Sequence, residues 1–254
     1  MNKLTTVLIT GASSGIGYEL AKEFASHNCN LVLIARNSKK LDDIKDEFID
    51  KYGINVFKIT QDLSAEGAAK RIFNLVKEKN INIDILINNA GCGKVGFFNE
   101  IDSSIDFEMI KTNIIALTEL TKVFSKDMVS RRKGKILNVA STGSFSPGPF
   151  IAVYYATKAY VLSFSEAIYK ELKQYNVSVT TLCPGAVHTN FSSVAGKEDS
   201  PFAMTPDKVA KAAYKGVIKG KKRVVPGLVN KILIRLPKVF VTELVFRGQR
   251  MLSN

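Results

Sequence analysis

Residues 5–17 read Thr-Thr-Val-Leu-Ile-Thr-Gly-Ala-Ser-Ser-Gly-Ile-Gly. The apolar run Val7–Ile9 predicts a buried strand, and the glycines after it predict a tight turn that leads into a helix. Such a turn points backbone N–H groups and a helix N-terminus at the end of the strand, where they can bind a pyrophosphate. The turn lacks the Gly-Lys-Ser/Thr of a triphosphate-binding loop, which argues against an ATPase or a GTPase. The segment therefore predicts a dinucleotide-binding loop; a glycine-rich turn without a ligand is the alternative.

Short β-branched runs alternate with helix-length segments along the rest of the chain. The predicted strands are Thr5–Thr10, Asn30–Ala35, Ile54–Thr60, Ile83–Asn88, Lys135–Ala140, Val177–Leu182 and a short seventh at Val224–Val225. Predicted helices include Ser14–His27, Ser38–Lys51, Ser64–Lys79 with Ser64 as its N-cap, and Pro206–Lys219. This order predicts an α/β fold: a Rossmann-type, doubly wound parallel sheet of about seven strands with helices on both faces, forming a single domain over residues 1–254.

Composition is typical of a soluble globular protein, with 46% hydrophobic and 23% charged residues in 254. The chain has three cysteines, Cys29, Cys92 and Cys183, which lie far apart and form no CxxC pair. Neither a disulfide framework nor a zinc site is therefore indicated, and the sequence shows no other metal-ligand cluster. No apolar run reaches the length of a transmembrane helix, and Met1–Thr10 contains no signal-peptide core. These features predict a cytoplasmic location.

The end of the second strand predicts the cofactor. Proteins that bind NAD usually carry Asp or Glu about 20 residues beyond the glycines, where the acid binds the ribose 2′-hydroxyl. Here the sequence is Ala35-Arg36-Asn37, with no acid. Because a guanidinium pairs with a 2′-phosphate, the sequence predicts that NADP(H) is preferred over NAD(H).

A tyrosine and a lysine stand four residues apart after the fifth strand. Tyr154 and Lys158 would share one face of a helix, where the ammonium can lower the phenol pKa for proton donation to a carbonyl oxygen. Tyr155 is the competing tyrosine, but its spacing from Lys158 turns it to another side, so we expect it to pack. Ser141 follows the fifth strand directly and would orient the carbonyl.

Together these motifs resemble the short-chain dehydrogenase/reductase family over residues 5 to about 190. The motifs occur in the family's order: Thr10–Gly17, Asn88-Asn89-Ala90-Gly91, Asn113, Ser141 with Tyr154-Tyr155-Ala156-Thr157-Lys158, and Pro184-Gly185 with Thr189. The resemblance implies hydride transfer between the nicotinamide of NADP(H) and a carbonyl or alcohol substrate. It also implies a homo-oligomer, a dimer or a tetramer.

The resemblance assigns roles to individual residues. Four residues would be catalytic, namely Asn113, Ser141, Tyr154 and Lys158. Asn113 would hold a water molecule that connects Lys158 to solvent. Thr142 and Ser144 are the less favoured candidates for the role of orienting the carbonyl that Ser141 is expected to have. The cofactor would be bound by Gly11, Ser13, Ser14, Gly15, Ile16, Gly17, Arg36, Asp62, Leu63, Asn88, Ala90, Gly91, Tyr154, Lys158, Pro184, Gly185, Val187 and Thr189.

Two segments, Thr142–Val153 and Phe191–Thr205, would frame the substrate, and residues 186–205 would form a lid. Their apolar content predicts a hydrophobic carbonyl compound, with four predicted contacts: Ser141, Phe145, Phe150 and Phe191. Two alternatives stay open. One is a 3-oxoacyl thioester reductase; the other is a non-catalytic NADP(H) sensor or interaction protein.

The positive charge is concentrated near the C-terminus. Of the net +13, residues 204–254 carry 12 Lys and Arg against Asp207 and Glu243, so the rest is nearly balanced and a nucleic-acid partner is not indicated. The extension 227–254 shows an amphipathic helical pattern with Pro237 as a kink. It could cap the core or a neighbouring subunit, lie peripherally on an anionic membrane, or attract anionic substrates.

Overall fold

The structure, a computed structural model, describes residues 4–196 and 203–250. In this part of the chain seven parallel strands form one sheet: β1 Thr6–Thr10, β2 Asn30–Ala35, β3 Val56–Thr60, β4 Ile85–Asn88, β5 Gly134–Val139, β6 Val177–Leu182 and β7 Arg223–Val224. Their order is β3-β2-β1-β4-β5-β6-β7. The winding reverses between β1 and β4, which opens a crevice at the carboxyl ends of these two strands. The predicted doubly wound fold is confirmed.

Helices cover both faces of the sheet. They are α1 Gly15–Ala25, α2 Ser38–Tyr52, α3 Ala68–Glu78, α4 Ser103–Ile110, α5 Leu117–Ser130, α6 Ala152–Lys173, α7 Asn190–Ala195, α8 Pro206–Ile218, α9 Leu228–Leu233 and α10 Lys238–Arg250. A π-helical turn, Lys111–Ala116, joins α4 to α5. Within the described ranges, no helix has the length and apolarity needed to cross a lipid bilayer.

Two apolar layers hold the helices on the sheet. In β1, Val7 and Ile9 face the layer that packs against α1, α2 and α8, and Leu8 faces the layer that packs against α3, α5 and α6. All three side chains are fully buried. The strand therefore reads as a continuous apolar run because both of its faces are covered.

A short line of buried polar side chains crosses the centre of the sheet. Asn88 of β4 and Asn138 of β5 are register partners, and the Asn88 amide donates to the Asn138 carbonyl oxygen at 2.9 Å. Asn88 also donates to Thr121 of α5, and Asn138 donates to Ser165 of α6. The line ties two central strands to the two helices that cover them.

The structure corrects one predicted helix start. Ser64 is not an N-cap, because α3 begins at Ala68 after Gly67, which has a positive φ of 69°. Asp62 instead accepts hydrogen bonds from the backbone and the hydroxyl of Ser64, at 2.9 and 2.8 Å. This local turn competes with helix formation and delays the helix by one turn.

The C-terminal extension is helical but interrupted. Pro237 separates α9 from α10, so the kink expected there is a break between two helices. Residues 197–202 of the predicted lid lie outside the described residues, as do 251–254 of the extension.

Candidate active site

A cleft of about 530 Å³ opens at the carboxyl ends of β1 and β4. Most of the predicted cofactor and catalytic residues line it, and they come from the segments that follow the six strands β1 to β6 and from α1 and α6. The predicted residues in its wall are Gly11, Ser13, Ser14, Gly15, Ile16, Gly17, Arg36, Asp62, Leu63, Ala90, Gly91, Ser141, Tyr154, Lys158, Pro184, Gly185, Val187, Thr189 and Phe191. One crevice thus joins a glycine-rich loop to a Ser-Tyr-Lys cluster.

The glycine loop leaves no room for side chains. Gly11 has a φ of 66°, and a Cβ there would lie 2.9 Å from the Cα of Ala90. A Cβ on Gly17 would collide with the carbonyl of Gly11. The backbone thus folds tightly on itself and leads into α1 at Gly15, so a phosphate can approach the N–H groups of the helix N-terminus.

The far end of the cleft carries two cations, Arg36 and Lys40, beside two acids, Asp62 and Glu108. Arg36 follows β2, and Lys40 of α2 lines the same wall. The Arg36 guanidinium donates to Glu108 of α4 at 3.2 Å, with 70% of the arginine side chain exposed. Because an exposed pair of this kind holds its partners weakly, Arg36 can turn to an anionic ligand.

The loop after β4 is fastened to β1. The Thr10 hydroxyl accepts hydrogen bonds from the backbone N–H groups of Asn89 and Ala90, both at 3.0 Å. Asn89 and Ala90 line the cleft. Asn88 does not line it, contrary to the expectation from the sequence, because its side chain points beneath the cleft into the polar line between β4 and β5.

Ser141, Tyr154 and Lys158 converge at the nicotinamide end expected for a bound dinucleotide. Ser141 hydrogen-bonds with the phenol of Tyr154. The Lys158 ammonium donates to the carbonyl of Val139 at 2.9 Å and lies 5.7 Å from the centroid of the Tyr154 ring. Ser144 donates to the carbonyl of Lys158 at 2.8 Å and so ties the loop after β5 to α6.

Burial dominates the ionisation of this cluster. It raises the pKa of Tyr154, against the weaker opposing effect of the Ser141 hydrogen bond. It also lowers the pKa of Lys158 to about 8. The expectation that Lys158 lowers the tyrosine pKa does not hold in this structure, since desolvation outweighs the other effects. The phenol therefore keeps its proton at neutral pH, which is the form a proton donor needs.

The lowered lysine pKa predicts a pH-dependent stability difference. Between pH about 8 and the ordinary lysine value of 10.5, the unfolded chain binds more protons than the folded one, so this group makes stability rise with pH. Lys158→Met lacks that contribution. Urea unfolding without cofactor should show the wild type gaining about 1–2 kcal/mol relative to Lys158→Met between about pH 7.5 and 9.5. A constant difference across this range would contradict the lowered pKa.

Asn113 lies in the π-helical turn and is fully buried beside the cleft. Its side-chain oxygen accepts from the backbone N–H of Cys92 at 3.0 Å, and its amide donates to the Cys92 carbonyl and to Thr157 of α6. The side chain thus fixes the loop after β4 against the helix that carries Tyr154 and Lys158. Its role in holding a water stays a prediction.

Of the three phenylalanines that were predicted to contact the substrate, only one lines the cleft. Phe191 of α7 lines the cleft, with its ring centroid 5.3 Å from that of Tyr154. Phe145 instead packs beside the β7 edge, where the Arg223 guanidinium lies 5.0 Å from its centroid. Phe150 has a φ of 64° and lies between Phe97 and Phe246. Neither Phe145 nor Phe150 is in the cleft wall, because each is held by other rings or charges.

Several wall residues were not predicted from the sequence. They include Lys40, Asn89, Cys92, Gly93 and Glu108. A Cβ on Gly93 would lie 2.8 Å from Phe191 and 3.1 Å from Tyr154, so the close approach of these two rings requires a glycine here. The signal in the sequence was its position two residues after the end of the Asn88–Gly91 motif.

The fold and the cleft together define a dinucleotide-dependent oxidoreductase. Residues 5–200 match the short chain dehydrogenase family. The chain therefore belongs to this family, and it is a short-chain dehydrogenase/reductase enzyme.

Among known relatives, a very-long-chain 3-oxoacyl-CoA reductase-like protein from Arabidopsis thaliana is 34% identical over 215 residues, covering 81% of this chain and 68% of the relative. A short-chain dehydrogenase from Sphingobium yanoikuyae, solved in complex with NADPH, has a TM-score of 0.85 and 31% identity, covering 98% of this chain and 95% of the other. A bulky-bulky ketone specific alcohol dehydrogenase from Comamonas testosteroni has a TM-score of 0.81 and 29% identity, covering 98% and 93%.

Proposed function

We propose that this protein is an NADPH-dependent reductase of hydrophobic carbonyl compounds. The observation that carries the proposal is the single cleft that joins Arg36 at one end to Ser141, Tyr154 and Lys158 at the other. A non-catalytic sensor would need the first end alone, whereas this chain retains both.

The residues present fit NADPH. The crowded backbone of Gly11 and Gly17 forms a cradle that a Cβ would fill, and α1 presents its N-terminus there. Arg36 would bind the 2′-phosphate, with Lys40 on the same wall. No acid follows β2 to bind a 2′-hydroxyl. The relative solved with NADPH supports the same cofactor for this chain.

When bound, NADPH supplies the hydride for the carbonyl carbon. The Tyr154 phenol donates its proton to the carbonyl oxygen, which becomes the alcohol. Ser141 donates a hydrogen bond that orients the carbonyl, and Lys158 holds a positive charge beside the phenol as the proton leaves. The raised pKa of Tyr154 keeps the phenol protonated, which is the form that can donate to the carbonyl oxygen.

The substrate would enter beside Phe191, Ile151 and Tyr155, which give that part of the wall an apolar surface. Two substrate classes have support. The relative of known structure named for bulky ketones favours a ketone with large substituents on both sides. The relative named as a 3-oxoacyl-CoA reductase-like protein favours a long-chain 3-oxoacyl thioester of CoA. We place the ketone first and the thioester second.

NADPH consumption distinguishes these two classes. We expect kcat/KM to rise about tenfold for every two methylenes buried, because each buried methylene contributes about 0.8 kcal/mol. The assay compares 3-oxoacyl-CoA esters of increasing length with aryl alkyl and diaryl ketones. Higher kcat/KM for the ketones supports the first class, and higher values for the long thioesters support the second. Equal rates on short and long members of both series would contradict a hydrophobic substrate.

A further inference from the structure

Exposed large apolar side chains are concentrated in the C-terminal extension. Val239 is 83% exposed, Leu228 is 73% exposed and Phe240 is 60% exposed. The whole set, which we call the tail surface, comprises Leu228, Val229, Ile232, Leu236, Val239, Phe240 and Leu244. Leu228 and Ile232 share one face of α9, and Phe240 and Leu244 share one face of α10. Isolated exposed apolar residues are ordinary, but seven within 17 positions indicate a surface that binds something.

The tail surface is fixed to the domain. In α10, the side chain of Val241 is buried, and the ring of Phe246 stacks on that of Phe150 with 5.5 Å between the ring centroids. Phe150 in turn contacts Phe97, whose neighbour Phe98 is 69% exposed. Exposed phenylalanines of the loop after β4 therefore extend the apolar area next to α10.

Cations accompany this apolar area. Lys231, Arg235 and Lys238 are exposed and have no ion-pair partner among the residues that the structure describes. Lys222 and Arg223, by contrast, are paired with Glu166. The sequence of α9 contains no acidic residue, and Glu243, the acid in α10, is paired with Arg247 at 2.7 Å.

We propose that the tail surface docks on an anionic lipid membrane. Apolar side chains at the end of short helices can enter the region between headgroups and acyl chains, and neighbouring lysines and arginines attract anionic headgroups. A symmetric contact between two tail surfaces is less compatible, because it would gather six unpaired cations in one interface, where α9 offers no acid and Glu243 of α10 is already paired with Arg247. The charge thus selects a lipid surface as the occupant.

The docked orientation has a consequence for the cleft. Asn230 of α9 lies so close to Gly185 that a Cβ on the glycine would collide with it, and Gly185 lines the cleft. Phe150, on which α10 rests, precedes the cleft residue Ile151. The membrane would therefore lie beside the half of the cleft that holds Tyr154, where a substrate dissolved in lipid could enter. The docking itself does not depend on the proposed reaction.

Sedimentation of the full chain with vesicles tests the proposal. We expect binding to phosphatidylcholine vesicles that contain about 30% phosphatidylglycerol, weak binding to phosphatidylcholine alone, and weakening as salt is added. Leu228→Ser/Phe240→Ser and Lys231→Glu/Arg235→Glu should each lower the partition coefficient by about tenfold or more. All four side chains are exposed, so the melting temperature should stay close to that of the wild type.

Two matched variants control for composition. Ile49→Ser/Leu75→Ser removes exposed apolar residues from α2 and α3, and Lys70→Glu/Lys79→Glu reverses exposed charges on and just after α3. Both should bind as the wild type does. The proposal is overturned if no vesicle is bound, if phosphatidylcholine alone binds equally well, or if the controls lose as much binding as the tail variants. It is also overturned if the tail variants only dissociate an oligomer, measured by size-exclusion chromatography with light scattering, because the surface would then join two copies.

Discussion

Tyr154→Phe should lower kcat for carbonyl reduction by about 10³-fold while the NADPH dissociation constant changes less than about threefold. The substitution removes one hydroxyl, which is the proposed proton donor and the partner of Ser141. The ring remains and can keep its contact with Phe191. Stopped-flow measurement of NADPH absorbance gives the chemical step, and isothermal titration calorimetry gives the dissociation constant of NADPH, because the chain contains no tryptophan whose fluorescence NADPH could quench.

The adjacent tyrosine provides the control for this prediction. Tyr155→Phe removes the same hydroxyl one residue further along α6, where the ring packs over Gly143 and Gly148. We expect its kcat to stay within about threefold of the wild type, as for a hydroxyl that takes no part in proton transfer. Near-normal turnover in Tyr154→Phe, or an equal loss in both variants, would remove Tyr154 as the proton donor.

Arg36→Asp should raise the KM for NADPH by about 100-fold and leave the KM for NADH nearly unchanged or lower. The change removes charge-assisted hydrogen bonds to the 2′-phosphate and places a carboxylate against it. The same carboxylate can accept a hydrogen bond from the 2′-hydroxyl of NADH. Initial rates with both cofactors, at one saturating carbonyl concentration, measure the ratio.

Glu108→Gln should shift cofactor preference in the opposite direction. Glu108 holds Arg36 at 3.2 Å when no phosphate competes. Removing its charge frees the guanidinium and removes a repulsion, so NADPH should bind about two- to threefold more tightly, the range of an exposed ion pair.

If Arg36→Asp leaves the ratio of the two KM values unchanged, the 2′-phosphate does not bind at Arg36, and Lys40 becomes the residue to replace next.

Most of the fold could be predicted from the sequence because its strands are buried on both faces. Runs such as Val7–Ile9 combine β-branched and apolar residues over a length too short for a helix, so they predict strands without further information. Helix starts were less predictable. Ser64 had the residue type of an N-cap, but Asp62 used its carboxylate to form a turn there, and competition between neighbouring polar side chains is not visible in a periodicity.

The residues that line the cleft were predictable where chemistry fixes their spacing, as for the glycine loop and for Tyr154 and Lys158. Contacts between distant segments were not. Glu108 lies 72 residues from Arg36, and only the fold brings them together. Phe145, Phe150 and Phe191 are the same residue type in similar surroundings, so composition could not show that only the last of them lines the cleft. The depth of burial that raises the pKa of Tyr154 likewise depends on the complete fold.

The amide pair Asn88–Asn138 at the centre of the sheet bears on how the chain avoids misaligned structures. In the native alignment these two residues face each other, and each also reaches a hydroxyl on a covering helix. Sliding β4 by one residue along β5 would turn the Asn88 amide to the opposite face of the sheet and separate it from its partner. An amide buried without a hydrogen bond costs about 1–3 kcal/mol, and such a slip would leave the Asn88 amide without either of its partners, while Asn138 would keep only its bond to Ser165. The apolar side chains of parallel strands tolerate many alignments, whereas the Asn88–Asn138 pair tolerates only one. The pair therefore selects the alignment that places the two halves of the cleft side by side.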